Sequence, residues 1–321
     1  MLIEVRMVVV LYILLGLALL TLLTSFVCFW MAFYAPRKCE TEEYPIPPGK
    51  IYEPHRETMV EWIKEARAMP HDDVSITSFD GLTLCGQYFE GRADAPIELM
   101  FPGYRGVAER DLCGGVQRAF ALGHNVLIVN QRSCDKSGGR VITFGVREHR
   151  DCLSWIDYIL ERFGADVKII LAGVSMGAAT VMTAAGCDLP PQVVGVVADC
   201  GYTSAKDIIC KVIRQMGLPA KLLYPFVRLG GLIYGGFDVE ATSPIEGMKN
   251  CRIPVFFAHG DADDYVPYEM SLRNYEACTA IKTLFTVPNA GHGLSYLIDP
   301  DGYVTALNAI FPEYSTVKER T

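Results

Sequence analysis

The chain begins with a stretch in which hydrophobic residues follow one another without helical or strand periodicity. From Met7 to Pro36 there is no charged side chain, and the centre reads Val8-Val-Val-Leu-Tyr-Ile-Leu-Leu-Gly-Leu-Ala-Leu-Leu. A helix crosses the hydrocarbon layer of a bilayer with about 20 apolar residues. This run is longer, so a tilt or an interfacial end is expected. Trp30 and Tyr34 stand near its C-terminal edge, where amphipathic aromatic rings favour the membrane interface. A cleaved signal would have an apolar region of about 7–15 residues and a small-x-small site. Here the run ends in Phe33-Tyr34-Ala35-Pro36, and Cys28 follows Phe26 and Val27 instead of the small residues of a lipoprotein site. We expect an uncleaved transmembrane anchor over residues 1–38. Arg6 precedes the run and Arg37 and Lys38 follow it. That basic bias, by the positive-inside rule, favours a cytoplasmic location for the part of the chain that follows the run.

Residues 39–55 turn acidic and then proline-rich (Pro45, Pro47, Pro48), the composition of a linker. Residues 56–68 read as a helix with Met59, Val60, Ile63 and Ala66 on one side. From Val74 the period changes. Segments 74–78 and 83–90 flank Asp80-Gly81, a hairpin turn signal. Apolar strands are then predicted at 97–101, 125–129, 167–172, 193–198, 253–258 and 284–287. Helices are predicted at 110–122, 147–163, 178–186 and 303–311. Near-continuous apolar strands suit a sheet covered on both faces. A leading hairpin followed by β–α alternation gives an α/β domain over 56–321: a mostly parallel sheet, an antiparallel N-terminal hairpin, and helices on both faces. Residues 203–250 are too long for one crossover helix. Ile208, Ile209, Val212, Ile213 and Met216 recur there at helical spacing, so a helical cap is expected.

The chemistry concentrates at Gly173-Val174-Ser175-Met176-Gly177. An apolar strand precedes it and a small-residue helix follows. In such a strand-to-helix turn the serine is held on a strained backbone, and flanking glycines let neighbouring backbones pass closely. Ser175 is the candidate nucleophile, and the Met176 N–H opens a helix where an oxyanion is favoured. A serine needs a base, which an acid must orient. In sites of this kind the order is serine, acid, histidine. His292, in Ala290-Gly291-His292-Gly293, follows the last strand and is the candidate base. The acid is expected after the seventh strand, where Asp261, Asp263 and Asp264 cluster; Asp199, after the sixth, is an alternative. A second oxyanion donor is expected in the loop Phe101-Pro102-Gly103-Tyr104-Arg105-Gly106. Pro102 has no N–H, which leaves the Tyr104 N–H; Arg105 reads as an exposed charge.

Composition narrows the function. The formal net charge is −8, with no basic patch to neutralise phosphates, so nucleic acid is excluded as a partner. The 11 cysteines are scattered, without C-x-x-C or zinc-like spacing, and read as buried free thiols of a reducing compartment. The sequence fixes no oligomeric state.

Gly173–Gly177, His259-Gly260-x-x-Asp263-x-x-Val266-Pro267 and Gly291-His292-Gly293 together resemble the α/β-hydrolase superfamily. The stretch from Asp80 to Tyr296 resembles a bacterial branch with serine-aminopeptidase-type domains, many carrying one N-terminal anchor. The resemblance covers about residues 55–315. It implies Asp263 as the acid of the triad, with Asp261 and Asp264 as loop carboxylates near a helix start. Two departures stand out. Pro102-Gly103 occupies the place of a usual His-Gly, and Asp135 stands where a small residue is usual. The resemblance implies a serine hydrolase that needs no metal or organic cofactor. Its substrate would be a small-molecule or lipid-like acyl compound, with an ester leading and a thioester or peptide as alternatives. A catalytically silent, membrane-tethered binding module is the competing class.

Overall fold

The computed structural model describes residues 2–36 and 42–314. Arg37 and Lys38, which carry the expected orientation, lie outside the described residues, as do 39–41 of the expected linker and 315–321.

The opening apolar run is one helix, α1 (Leu2–Ala32). At 1.5 Å per residue it is about 46 Å long. Its mean hydropathy reaches 2.7 over a membrane-length window. Its first two thirds face outward, while Ser25 and Phe29, with Phe33 just beyond the helix, are buried against the rest of the protein. Segment 42–55 does not run free of the domain: Tyr44, Ile46 and Tyr52 pack with Met59 and Ile63 of α2 (Arg56–Ala68).

Eight strands follow: β1 (Asp72–Thr77), β2 (Thr83–Phe89), β3 (Ile97–Phe101), β4 (Asn125–Val129), β5 (Ile169–Val174), β6 (Val193–Asp199), β7 (Val255–Gly260) and β8 (Lys282–Val287). They form one sheet in the order β1-β2-β4-β3-β5-β6-β7-β8. β1 and β2 pair antiparallel, as do β2 and β4; every later pair is parallel. The Asp80-Gly81 turn is closed by Ser78, whose hydroxyl donates to Asp80 and accepts from the Leu82 N–H.

Side chains alternate across a strand, and here both faces are covered. Leu99, Leu127, Ile169 and Leu171 belong to the core under α5 (Glu148–Phe163) and α6 (Met176–Ala184). Their neighbours Met100, Val126, Ile128 and Ile170 belong to the core of the opposite face. That face is covered by α4 (Cys113–Ala121) and α12 (Pro300–Ile310). The single helix expected at 110–122 is broken. A short α3 (Ala108–Asp111) ends at Leu112, which leaves helical geometry at φ −106 and ψ 7 before α4 begins. The break lets the Asp111 side chain reach the turn at Gly103 and Gly106.

Between β6 and β7 run α7 (Ala205–Gln215), α8 (Ala220–Gly230), a π-helical turn (Gly231–Gly235) and α9 (Pro244–Asn250). Phe29 and Phe33 join Ile208, Ile209, Tyr224 and Val227 there in one cluster. Two further α-helices are α10 (Tyr268–Ala277) and a single turn, α11 (Ser295–Ile298).

Candidate active site

Ser175 stands between β5 and α6 with φ 57 and ψ −114, a backbone region a non-glycine residue enters only under constraint. The constraint is visible on both sides. A Cβ at Gly173 would lie 2.2 Å from the Gly177 carbonyl carbon, and one at Gly177 would lie 1.9 Å from the Phe101 oxygen. The turn therefore presses α6 against β3. The Ser175 N–H donates to the Asp199 carbonyl at 2.8 Å, which pins the turn to β6.

Asp263 and His292 meet from two different loops. His292 Nδ1 lies 2.7 Å from Asp263 Oδ2, and the aspartate side chain is fully buried. The other oxygen, Oδ1, accepts the backbone N–H groups of Tyr265 and Val266, both at 2.8 Å. Burial opposes a charge here. The hydrogen bonds and charges of His259 and His292 outweigh it and hold the Asp263 carboxyl well below the usual range. An ionised Asp263 is an acceptor only, so the proton between it and His292 sits on Nδ1. Nε2 of His292 is then the free basic nitrogen, and Ser175 and His292 line the same cavity.

His259 is a neighbour the sequence reading named only within a motif. It is fully buried, with Nε2 facing Asp263 Oδ2 at 3.1 Å and the Val266 carbonyl at 2.9 Å. Two acceptors face that nitrogen, so it carries a proton and acts as a second donor to the acid. Ser271 Oγ lies 2.6 Å from the other ring nitrogen. The usable signal was a histidine at a strand end, four residues before Asp263.

The carboxylates of Asp199 and Asp261 are engaged elsewhere. Asp199 Oδ1 accepts from the Ser295 hydroxyl, and burial raises its carboxyl. Asp261 accepts the Asn289 N–H at 2.6 Å. Neither Asp261 nor Asp264 caps α10, whose N-cap is Pro267.

Met176 is the first residue of α6 and fully buried. The loop holding Tyr104 runs beside the serine: a Cβ built on Gly103 would sit 3.9 Å from Ser175 Oγ. The Tyr104 side chain lines the same cavity as Ser175. Its hydroxyl donates to the Ala32 carbonyl at 2.8 Å and its ring stacks on Phe144. Arg105 is exposed, as expected, and its guanidinium also reaches the carbonyls of Met31 and Tyr34 at 3.2 and 2.7 Å, beside the C-terminus of α1. Asp111 braces the loop from beneath. Burial raises its carboxyl, while Arg110 and the Gly103 N–H work against that rise. At the departure noted above, the Pro102 carbonyl accepts from Gln131 at 2.6 Å. Asp135 lines the cavity and accepts from Asn130 at 2.9 Å.

The cavity measures about 890 Å³. Its wall includes Ala35 and Pro36 from just beyond α1, and Pro47, Pro48 and Ile51 from the segment expected as a linker. The Tyr52 hydroxyl donates to the His292 carbonyl at 3.0 Å.

No family model matches the chain. Over 176 residues, 54% of this chain and 58% of the relative, it is 29% identical to the uncharacterised protein YqkD of Bacillus subtilis (strain 168). Over 188 residues, 57% of this chain and 56% of the relative, it is 27% identical to protein bem46 of Schizosaccharomyces pombe. The matched part thus spans little more than half the length of these relatives. Among solved structures, the Pyrococcus furiosus esterase Pf2001 superposes with a TM-score of 0.63 at 20% identity, over 87% of this chain and 100% of that one. The mouse alpha/beta hydrolase domain-containing protein 10 gives 0.55 at 18%, over 76% and 100%. The acylaminoacyl peptidase of Pyrococcus horikoshii gives 0.57 at 16%, over 80% and 44%. The chain has the α/β-hydrolase fold.

Proposed function

We propose that the protein is a serine hydrolase, cleaving carboxylic esters through Ser175, Asp263 and His292, and held at a membrane by α1. The observation that carries this reading is the 2.7 Å contact between His292 Nδ1 and an Asp263 carboxylate held in its charged form, in a cavity that Ser175 also lines. The esterases among the structural neighbours support it at the level of fold.

In this reading His292 Nε2 takes the Ser175 proton as Oγ adds to the ester carbonyl. Asp263 keeps the ring in the required tautomer and stabilises its cationic form. The Met176 and Tyr104 N–H groups receive the developing oxyanion. Collapse expels the alcohol, protonated by His292, and leaves an acyl-serine. Water, deprotonated by the same nitrogen, then releases the acid and regenerates Ser175.

An anchor, as opposed to a removed signal, is supported by what its removal would expose. Phe29 and Phe33 are buried, Ile142 N–H donates to the Phe33 carbonyl, and Ala35 N–H donates to the Arg140 carbonyl.

The test is a matched series of an ester, a thioester and an anilide with one acyl group, turned over by wild type and Ser175→Ala in detergent. The ester should be hydrolysed by wild type alone, with Ser175→Ala lower by about 10⁴-fold or more. Preference for the anilide would replace the esterase reading with a peptidase.

A further inference from the structure

We infer that α8 and the π-helical turn form a second, membrane-inserted element beside α1, and that the substrate is an ester lipid taken from the bilayer itself. The substrate part rests on the hydrolase reading above, and the membrane seating rests on α1 being an anchor.

The inference starts from register. A hydrocarbon layer of roughly 30 Å takes about 20 helical residues. Counted from Met7, the first residue after Arg6, these run to Phe26. The π-helical turn reaches back along α1 into that span. The Tyr234 hydroxyl donates to the Leu22 carbonyl at 3.0 Å, and its ring meets Phe26 at 5.3 Å. A Cβ on Gly230 would lie 2.4 Å from the Ser25 oxygen, so the two helices cross at backbone contact. A rigid joint of this kind carries the turn wherever α1 goes.

What the turn presents there is apolar. Leu232 and Ile233 are 46% and 48% exposed, and Leu222 on α8 is 64% exposed. Along α8, Ala220, Tyr224 and Val227 are buried. Leu222, Phe226 and Leu229 recur at i, i+4 and i+7 on the opposite face. Arg228 is turned to Asp238 at 2.7 Å and does not interrupt that stripe. An apolar face continuous with a transmembrane helix, at the same depth, is covered by lipid.

The same register sets the cavity near the interface. Ala35 and Pro36, in the cavity wall, follow the end of α1 by three and four residues. The reacting carbonyl therefore sits close to the level of lipid headgroups, within reach of an ester still anchored by its chains.

The test uses the full chain in phosphatidylcholine vesicles. A fluorescent amino acid replaces Ile233 in one sample and Ile281 in another; Ile281 is 72% exposed just before β8. Nitroxide-bearing lipids should quench position 233 at least about threefold more than position 281. Equal quenching overturns the seating, whether or not the protein is a hydrolase. Leu232→Asp with Ile233→Asp should then slow turnover of a long-chain ester lipid in the vesicles by about tenfold or more. Turnover of a soluble short-chain ester should stay within about twofold. An unchanged lipid rate, or an equal loss on both esters, overturns the substrate assignment. Inactivity of wild type on both esters would count against the hydrolase reading and with it the substrate, leaving the quenching result to decide the seating alone.

Discussion

The Tyr104 hydroxyl donates to the Ala32 carbonyl at 2.8 Å, which ties the loop beside Ser175 to the last turn of the N-terminal helix. Arg105 repeats the tie one residue on. Tyr104→Phe keeps the ring on Phe144 and removes only this bond. It should lower stability by about 1 kcal/mol and slow acylation of Ser175 by less than about tenfold, because the loop donor becomes less well positioned. Thermal unfolding and single-turnover acylation check both halves.

The C-terminal end of the opening apolar run is also part of the core. Phe33 is fully buried, edge-on to Phe144 and Phe237. Phe33→Ala should cost about 3–5 kcal/mol, the usual price of emptying a buried aromatic site. The exposed Leu11→Ala, on the outward part of α1, should leave the thermal midpoint in detergent nearly unchanged. Equal shifts would mean that α1 does not dock.

Gly177→Ala would drive a Cβ against the Phe101 carbonyl, which is backbone and cannot swing aside. The turn that strains Ser175 should not form. We expect destabilisation of about 3 kcal/mol or more and loss of Ser175 reactivity even where folded protein is recovered. Circular dichroism with active-site titration reads this out.

Asp263 has a folded pKa depressed below its ordinary value of 3.8. A group of this kind contributes stability above its unfolded pKa and loses it as pH falls towards the folded one. The difference in thermal midpoint between wild type and Asp263→Asn should therefore be flat from about pH 7 to 5 and shrink below about pH 4. A constant difference down to pH 3 would mean that the carboxylate is not held by His259 and His292.

Much of this architecture is legible in residue order because the relevant signals are local. Leu99 and Met100 face opposite cores, which a continuous apolar strand requires. Gly173–Gly177 carries its own turn geometry, since no other residue type passes Phe101 so closely. What stayed hidden depends on partners far along the chain. Tyr52 and His292 are 240 residues apart, and nothing in a proline-rich stretch tells that it will wall a cavity. The docking of α1 was invisible because Phe29 and Phe33 look like any other residues of an apolar run. His259 reads as a strand end until Asp263 folds back onto it. Asp111 falls inside the helix expected at 110–122, and only the break at Leu112 brings its side chain to Gly103 and Gly106.

The most direct measurement is covalent labelling with a fluorophosphonate probe, on wild type and Ser175→Ala at matched folding. Labelling of wild type alone is the expected result, and it would mean that Ser175 is activated by His292 with the oxyanion donors assembled. A well-folded wild type that takes no label, or a Ser175→Ala variant that labels equally, would contradict the triad and point to a membrane-tethered binding module on the same fold.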